Sequence, residues 1–178
     1  MTPLPATLGG TAVAAWRLDP AIFAPTWDSG EGAYQLGGRW NSRGVRAVYA
    51  SLDPATAILE VAVHKGFKAL DTERHMLTAF EIVRPTDIHV VRPEDAPNPN
   101  WLRPCIPSAG QQAFGDTLLA KHGIVVFPSA VSTHSWNLVF IASEAGPRYA
   151  LGFQERFALD TRLHPPGRST EPGTAGGA

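Results

Sequence analysis

The sequence predicts a single compact α+β domain with a mixed or antiparallel sheet at its core. About seven short segments rich in β-branched and aromatic residues are interspersed with three helical patterns, in an irregular order that is typical of this class. The chain has 178 residues, about the length of one domain, and shows no internal repeat. Its 44% hydrophobic and 17% charged fractions suit a soluble globular protein.

The predicted strands are the apolar segments between turn and helix signals. They fall at 12–18, 45–50, 76–83, 88–91, 124–127 and 137–142, with a last one between 149 and 159. The segments 76–83 and 88–91 are separated only by the turn at 84–87. We therefore expect these two strands to pair as a hairpin.

Two of the predicted helices begin at an Asp-Pro pair, in which aspartate is the N-cap and proline takes the first helical position. The pair Asp19-Pro20 predicts a short helix that stops near Pro25. The pair Asp53-Pro54 predicts a helix of about eleven residues. Between these helices, the residues 27–44 are expected to form a loop, since five glycines occur in these eighteen positions.

The third helix follows a proline-rich connection. Residues 92–107 are expected to be irregular, and Trp101 within them needs an apolar surface to pack on. Ser108 and Gln111 then form a capping box. The helix is expected to run to about residue 122, where Gly123 ends it.

Residues 12–163 are expected to form the domain, preceded by a flexible N-terminus at 1–11. The end of the chain, 164–178, is rich in proline and glycine and is expected to be disordered. No run of residues approaches the ~18 apolar residues of a membrane span. The N-terminus also lacks the basic segment of a secretory signal, so we expect a cytoplasmic protein.

The charge and the metal-binding residue types exclude several classes of function. Fifteen Lys and Arg against sixteen Asp and Glu give a net charge of -1, without a run of like charges that could serve as a nucleic-acid arm. The single cysteine, Cys105, has no disulfide or CxxC partner, and the six histidines have no HExxH spacing. Neither a metal site nor direct nucleic-acid binding is predicted.

Glu60 is the most informative candidate, because it lies in the middle of an apolar helix. Burying a carboxylate without partners costs several kcal/mol, so such a residue must be paired, protonated or functional. The alternative places Glu60 on an exposed stripe with Thr56 and His64. The helix is expected to be buried nearly all round, given its apolar residues Ala57, Ile58, Leu59, Val61, Ala62 and Val63.

Arg39, Tyr49 and Ser129 each allow a structural and a functional interpretation. Arg39 in the glycine-rich loop is either solvated or binds an anion through its planar guanidinium. Tyr49 is either a strand core residue or part of a site. Ser129 follows a strand and either caps a turn or contributes to a site. The segment FPSAV lacks the G-x-S-x-G pattern of a nucleophile elbow, which argues against a serine hydrolase using Ser129 with His134 or His64.

A family resemblance rests on the order of these motifs along residues 12–145. The chain resembles the RES-domain family, the toxins of bacterial Xre–RES toxin–antitoxin pairs, whose name comes from an arginine, a glutamate and a serine. The motifs are Trp16-Arg17, Gly37-Gly38-Arg39-Trp40-Asn41, Val48-Tyr49, Ala57-Ile58-Leu59-Glu60-Val61, Pro128-Ser129-Ala130-Val131 and Asn137.

The resemblance implies an ADP-ribosyltransferase-like fold and a catalytic domain that consumes NAD+ as its substrate, without a further cofactor. Five residues fall on the family's functional positions: Arg17, Arg39, Tyr49, Glu60 and Ser129. Trp16 stands where members usually have a tyrosine. Asn137 is followed by LVFIASEAGP, where members commonly have an Asn-Pro and a histidine.

The expected reaction is cleavage of the nicotinamide–ribose bond with water or phosphate as acceptor. Glu60 would stabilise the positive charge that develops on the ribose. Arg39 and Arg17 would hold the pyrophosphate, Tyr49 the nicotinamide side, and Ser129 the carboxamide or the ribose. ADP-ribosyl transfer to a protein and a non-catalytic binding module remain as alternatives. An Xre-type antitoxin is the expected partner, with a homo-oligomer possible within that complex.

Overall fold

The computed structural model describes residues 13–98, 100–101, 103 and 107–163. The segments 1–11 and 164–178, expected to be flexible, lie outside the described residues, as does Cys105.

A seven-stranded mixed sheet forms the centre of the molecule, in the order β4-β5-β6-β2-β1-β3-β7. Neighbouring strands are antiparallel except β4 and β5, which are parallel. The predicted α+β class with a mixed sheet is confirmed. The strands are β1 Val13–Pro20, β2 Ala47–Ser51, β3 His75–Ile82, β4 His89–Val90, β5 Ile124–Pro128, β6 Trp136–Ile141 and β7 Tyr149–Phe157.

Five α-helices occur in the described residues, two of them longer than two turns. They are α1 Glu31–Leu36, α2 Pro54–Lys65, α3 Phe67–Thr72, α4 Ala109–His122 and α5 Ala142–Ala145. Short 3-10 helices lie at Ala21–Thr26, Pro85–Asp87, Pro93–Asp95, Gly146–Arg148 and Thr161–Leu163. No helix in these described ranges is long and apolar enough to cross a bilayer.

The predicted hairpin between the third and fourth strands is wrong. β3 pairs along its whole length with β1 on one side and with β7 on the other, whereas β4 lies at the opposite edge and pairs with β5. Long partners distant in the sequence can form many more ladder hydrogen bonds with β3 than the two-residue β4 can. The 3-10 turn Pro85–Asp87 leads the chain away from β3.

The beginning of the chain also differs from the prediction. β1 continues through Pro20, and the following helix is a 3-10 helix at Ala21–Thr26. Asp19 does not cap this helix, because its carboxylate forms an ion pair with Arg17. The predicted loop at 27–44 contains the helix α1, which begins after Gly30.

The helix α2 begins where the sequence predicts, but its burial is lower than expected. The Asp53 carboxylate accepts a hydrogen bond from Thr56 N at 2.8 Å, and the helix ends at Gly66. Leu59 is 36% exposed and Val63 is 61% exposed. The expectation of a helix buried all round is therefore wrong, since the sheet covers only one of its sides.

The third predicted helix is confirmed as α4. Ser108 Oγ accepts a hydrogen bond from Gln111 N at 3.1 Å, and Gly123 ends the helix with a φ of 72°. Trp101, in the preceding connection, is buried and packs against Trp40 with the ring centroids 5.3 Å apart.

Apolar side chains fill the space on both faces of the sheet. The first cluster comprises Ala15, Trp27, Val48, Ala50, Phe80, Ile82, Ile124, Val126, Trp136, Leu138, Phe140 and Ala145. The second comprises Trp40, Ala47, Val91, Trp101, Leu119, Val125, Phe127 and Val139. A third lies beneath α2 and contains Leu18, Ala62, Leu70, Leu77 and Leu159. These clusters fix the strand ends and the helix that carry the candidate site residues.

Candidate active site

Glu60 receives two hydrogen bonds from predicted site residues on other elements. Its Oε1 accepts from Ser129 Oγ at 3.0 Å and from Asn137 Nδ2. Glu60 lies in α2, Ser129 directly follows β5, and Asn137 is in β6. Oε2 of Glu60 has no hydrogen-bond partner in the described part of the chain and is not buried. The carboxylate is therefore held by one oxygen and offers the other.

The surroundings of Ser129 settle the direction of its hydrogen bond to Glu60. Ser129 Oγ accepts from the backbone N–H groups of Val131 at 3.2 Å and Ser132 at 3.1 Å. A hydroxyl has two acceptor lone pairs and one proton, so the proton is left for Glu60. Ser129 thus caps a turn and belongs to the site at the same time.

His64 and His134 do not act as a base for Ser129. Within the described residues, neither His64 nor His134 forms a hydrogen bond with Ser129 Oγ, whose partners are a carboxylate and two backbone N–H groups. A serine nucleophile needs an adjacent base in hydrogen-bond reach. The geometry gives no support to a serine hydrolase.

Ser51 is a member of this polar group that the sequence reasoning missed. Its hydroxyl donates to Asn137 Oδ1 at 2.8 Å, and the two residues lie opposite each other in the ladder of β2 and β6. Ser51 is 2% exposed. The alternation of side chains along β2 places Ser51 on the same face as Tyr49, which is the signal that could have found it.

Arg17 links β1 to β2 through a hydrogen bond beside their ladder. The register of β1 and β2 contains the single pair Trp16 and Ser51. Arg17 Nη1 donates to the backbone oxygen of Tyr49 at 2.6 Å, and Nη2 donates to Asp19 Oδ1 at 2.7 Å. Nε of Arg17 also lies 2.5 Å from Asp19 Oδ2, so the guanidinium forms a two-point ion pair with Asp19, the residue that the sequence predicted as a helix cap.

Tyr49 uses its hydroxyl to hold the loop that carries Arg39. The hydroxyl donates to Asn41 Oδ1 at 2.7 Å and accepts from the backbone N–H of Trp40 at 3.0 Å. Burial raises the pKa of the Tyr49 hydroxyl well above its usual range, so it stays protonated and remains a donor. Gly38 is required here, since a Cβ at that position would lie 2.4 Å from the tyrosine oxygen.

Arg39 is the candidate cation with the least engaged guanidinium. Its Nη1 donates to the Trp101 backbone oxygen at 2.8 Å, and it forms no ion pair with any carboxylate in the described ranges. Burial is the main cause of the raised Tyr49 pKa, which the charge of Arg39 lowers and that of Glu60 raises to a smaller extent. An arginine held through one nitrogen can bind an anion with the rest of its fork.

The loop that carries Arg39, residues 37–41, packs on the helix α4 and on an aromatic stack. Trp40 stacks on Phe127 with centroids 4.3 Å apart and an interplanar angle of 9°. Gln112 Nε2 donates to the Gly38 oxygen at 2.9 Å. A Cβ at Gly115 would lie 2.0 Å from the Trp40 oxygen, so the loop rests directly on the α4 backbone.

Trp16 lies apart from the hydrogen-bonded group. Its indole packs against the apolar cluster beneath α2 and meets the Phe153 ring edge-on, with centroids 5.8 Å apart. The structure thus brings Ser129, Asn137 and Glu60 into direct contact. Arg17 is hydrogen-bonded to the backbone oxygen of Tyr49. The Tyr49 hydroxyl in turn binds Trp40, the residue next to Arg39.

The match to a protein family covers nearly all of the described chain. The family model described as RES domain matches residues 14–160. The chain belongs to the RES-domain family. This confirms the resemblance found in the motifs. A curated member, Toxin Res of Photorhabdus laumondii subsp. laumondii, is 28% identical over 151 residues, which are 83% of this chain and 95% of that protein.

Two other similar proteins extend the comparison. The Prs ADP-ribosylating toxin of a Sphingobium strain is 41% identical over 66 residues, 35% of this chain and 40% of that protein. In the M. tuberculosis MbcT-MbcA toxin-antitoxin complex, one chain is similar in structure with a TM-score of 0.66 and 19% identity, over 83% of this RES domain protein and 85% of that chain. The chain thus shares its α+β fold with a chain of that toxin-antitoxin complex.

Proposed function

We propose that this RES-domain protein is a toxin that degrades NAD+ by cleaving its nicotinamide–ribose bond, with water or phosphate as the acceptor. The observation that carries the proposal is the half-engaged carboxylate of Glu60. Oε1 is fixed by Ser129 and Asn137, while Oε2 has no partner in the described residues. A carboxylate oriented in advance needs no reorganisation when positive charge develops near it.

The chemistry requires only one carboxylate at the reacting carbon. When the bond between the ribose C1′ and the nicotinamide nitrogen breaks, its electron pair leaves with nicotinamide, which departs as a neutral molecule. No general acid is needed, in contrast to glycosidases with two carboxylates. Glu60 Oε2 would stabilise the oxocarbenium-like ribose. Attack by water then gives ADP-ribose and a proton, whereas attack by phosphate gives the phosphorylated ADP-ribose.

The remaining residues take roles that their contacts allow. Arg39 binds the pyrophosphate with the nitrogens of its guanidinium that are not bonded to Trp101. Arg17, which is paired with Asp19, adds to pyrophosphate binding from β1, next to the one residue pair that joins β1 to β2. Tyr49 keeps the Arg39 loop in place through Trp40 and Asn41 and can contact the nicotinamide side only with its ring, since its hydroxyl proton is donated to Asn41. Trp16, which packs against Phe153 and the apolar cluster at α2, has no direct role in this proposal.

The second candidate function is transfer of ADP-ribose to a protein. It is favoured by the local match to a relative whose name describes it as an ADP-ribosylating toxin. Bond cleavage and the role of Glu60 are the same in both reactions. They differ only in the nucleophile that reaches the ribosyl carbon, so the product distinguishes them.

The test is to incubate the purified protein with NAD+, with and without phosphate, and to measure nicotinamide release and the ribosyl product. We expect release by the wild type and a loss of at least ~100-fold in Glu60→Gln, which keeps the volume of the side chain but removes its charge. Glu155→Gln, at an exposed position of β7, is the matched control. No release by the wild type would contradict the proposal and favour a non-catalytic module.

We also propose an antitoxin partner for this chain. The similar structure is that of a toxin bound to its antitoxin, and a protein that covers the Glu60 side of α2 would block access to Oε2. The test is to coexpress the protein with the product of the adjacent gene. Copurification with suppressed nicotinamide release is expected, and full NAD+ cleavage in the presence of excess partner would contradict it.

A further inference from the structure

Ser51 is connected to Glu60 through one buried amide. The Ser51 hydroxyl donates to Asn137 Oδ1, and Nδ2 of the same amide donates to Glu60 Oε1. Ser51 is 2% exposed and Asn137 is 9% exposed. The chain of bonds runs from β2 through β6 to α2, and neither the predicted site nor the proposed reaction uses Ser51.

The orientation of the Asn137 amide depends on both of its neighbours. A carboxylate oxygen can only accept, so the amide must present Nδ2 to Glu60 and Oδ1 to Ser51. Among the described residues, Ser51 is the only donor to Oδ1. Without that hydroxyl, the buried Oδ1 would lose its hydrogen bond, which is costly enough to favour rotation of the side chain away from Glu60.

We propose that Ser51 is a positioning residue, whose hydroxyl holds the Asn137 amide in the orientation that fixes Glu60 Oε1 and leaves Oε2 for the substrate. The contribution of Ser51 to activity rests on the proposed NAD+ cleavage. The contribution of Ser51 to the orientation of the amide does not, and can be measured in the protein alone.

The kinetic test compares Ser51→Ala with the wild type. Removal of the hydroxyl should lower kcat for nicotinamide release about tenfold with little change in KM, because the substrate still binds but meets a less well oriented carboxylate. Ser51→Thr restores a hydroxyl and should recover most of the kcat. Thr78→Val is the control, since it removes a hydroxyl of β3 that is 1% exposed and bonded to Gln154, not to this group.

A double-mutant cycle with Asn137→Ala separates positioning from a general effect on folding. If Ser51 acts only through the amide, Ser51→Ala should lower kcat in the wild-type background but not in the Asn137→Ala background. An equal loss of kcat in both backgrounds would overturn the proposal, and so would a Ser51→Ala variant with the kcat of the wild type.

An NMR measurement decides the point even if the wild type releases no nicotinamide. The two side-chain amide protons of Asn137 can be assigned by their disappearance in Asn137→Ala. In Ser51→Ala, these resonances should shift and exchange with solvent faster, while those of other asparagines stay in place. Unchanged shifts and exchange rates in Ser51→Ala would overturn the proposed role of Ser51, independently of any reaction.

Discussion

Ser129 Oγ donates a hydrogen bond of 3.0 Å to Glu60 Oε1, although the two residues are 69 positions apart in the chain. The serine is entirely buried, and its lone pairs are occupied by two backbone N–H groups of its own turn. The same hydroxyl therefore shapes the turn after β5 and orients the carboxylate of α2. A change at Ser129 should alter both stability and activity.

Replacement of Ser129 by alanine leaves the Val131 and Ser132 N–H groups without their acceptor and Glu60 with one donor. We expect the free energy of unfolding to fall by ~1–3 kcal/mol and kcat for nicotinamide release to fall ~10–100-fold. Urea denaturation and steady-state kinetics measure the two effects. Ser132→Ala, which removes a hydroxyl bonded to Ser135 and to no other described residue, is the control. Wild-type kcat in Ser129→Ala would contradict the assigned role.

Arg39→Ala should weaken NAD+ binding more than it slows the chemical step. Its guanidinium has a single backbone partner and forms no ion pair in the described residues, so its charge is available to an anion. We expect KM for NAD+ to rise ~10-fold or more, with a smaller change in kcat. Arg39→Lys should not restore the KM, since an ammonium lacks the planar fork. Arg43→Ala, at an exposed position nearby, serves as the control, and an unchanged KM in Arg39→Ala would refute the assignment.

Tyr49→Phe distinguishes a tyrosine that holds a loop from one that contacts the substrate through its hydroxyl. Loss of the hydroxyl leaves the Trp40 N–H and Asn41 Oδ1 unpaired, so the free energy of unfolding should fall by ~1–3 kcal/mol and KM should rise. Tyr34→Phe, in the exposed helix α1, should change neither quantity. A large loss of kcat in Tyr49→Phe without any loss of stability would favour direct contact with the substrate.

His122 should make the protein less stable in mild acid. Partial burial, and then the charges of His89, Lys121 and Arg148, lower the pKa of His122 below its usual value near 6.5. Below that pH, the unfolded chain takes up a proton that the folded protein resists, so the free energy of unfolding falls as the pH decreases.

The imidazole of His122 is also stacked on that of His89, with centroids 4.2 Å apart, so that two protonated rings would repel each other. In urea denaturation between pH 5 and pH 8, His122→Gln should therefore show a shallower dependence on pH than the wild type. His134→Gln, at an exposed position, should keep the wild-type dependence. Identical slopes for the wild type and His122→Gln would contradict the expectation.

The ends of helices were predictable where a single capping residue determines the backbone conformation. Asp53-Pro54 placed the start of α2, and Ser108 with Gly123 placed both ends of α4, because caps act within a few residues. Pairing of strands could not be found in this way. β3 pairs with two strands distant in the sequence, and a turn between 83 and 88 says nothing about them.

The candidate site was predictable to the extent that its residues have distinctive chemistry. Glu60 stood out as a carboxylate among apolar neighbours, whereas Ser51 is a small polar residue of a kind that is common at strand ends. The position of Ser51 opposite Asn137 depends on the register of β2 and β6, which only the folded sheet defines. The prediction that Asp19 is a helix cap is wrong for a similar reason, since its partner Arg17 lies two residues away on the same face of β1.

The separation of Glu60 from Asn137 along the chain has a consequence for protein synthesis. Glu60 leaves the ribosome 77 residues before Asn137, a delay of about 4 to 15 seconds at typical elongation rates. During that interval α2 can form, but β6 and the turn after β5 do not yet exist, and the carboxylate has no donors to orient it. If the protein cleaves NAD+ as proposed, a translation product that ends before residue 137 is therefore expected to leave the NAD+ pool of the cell intact.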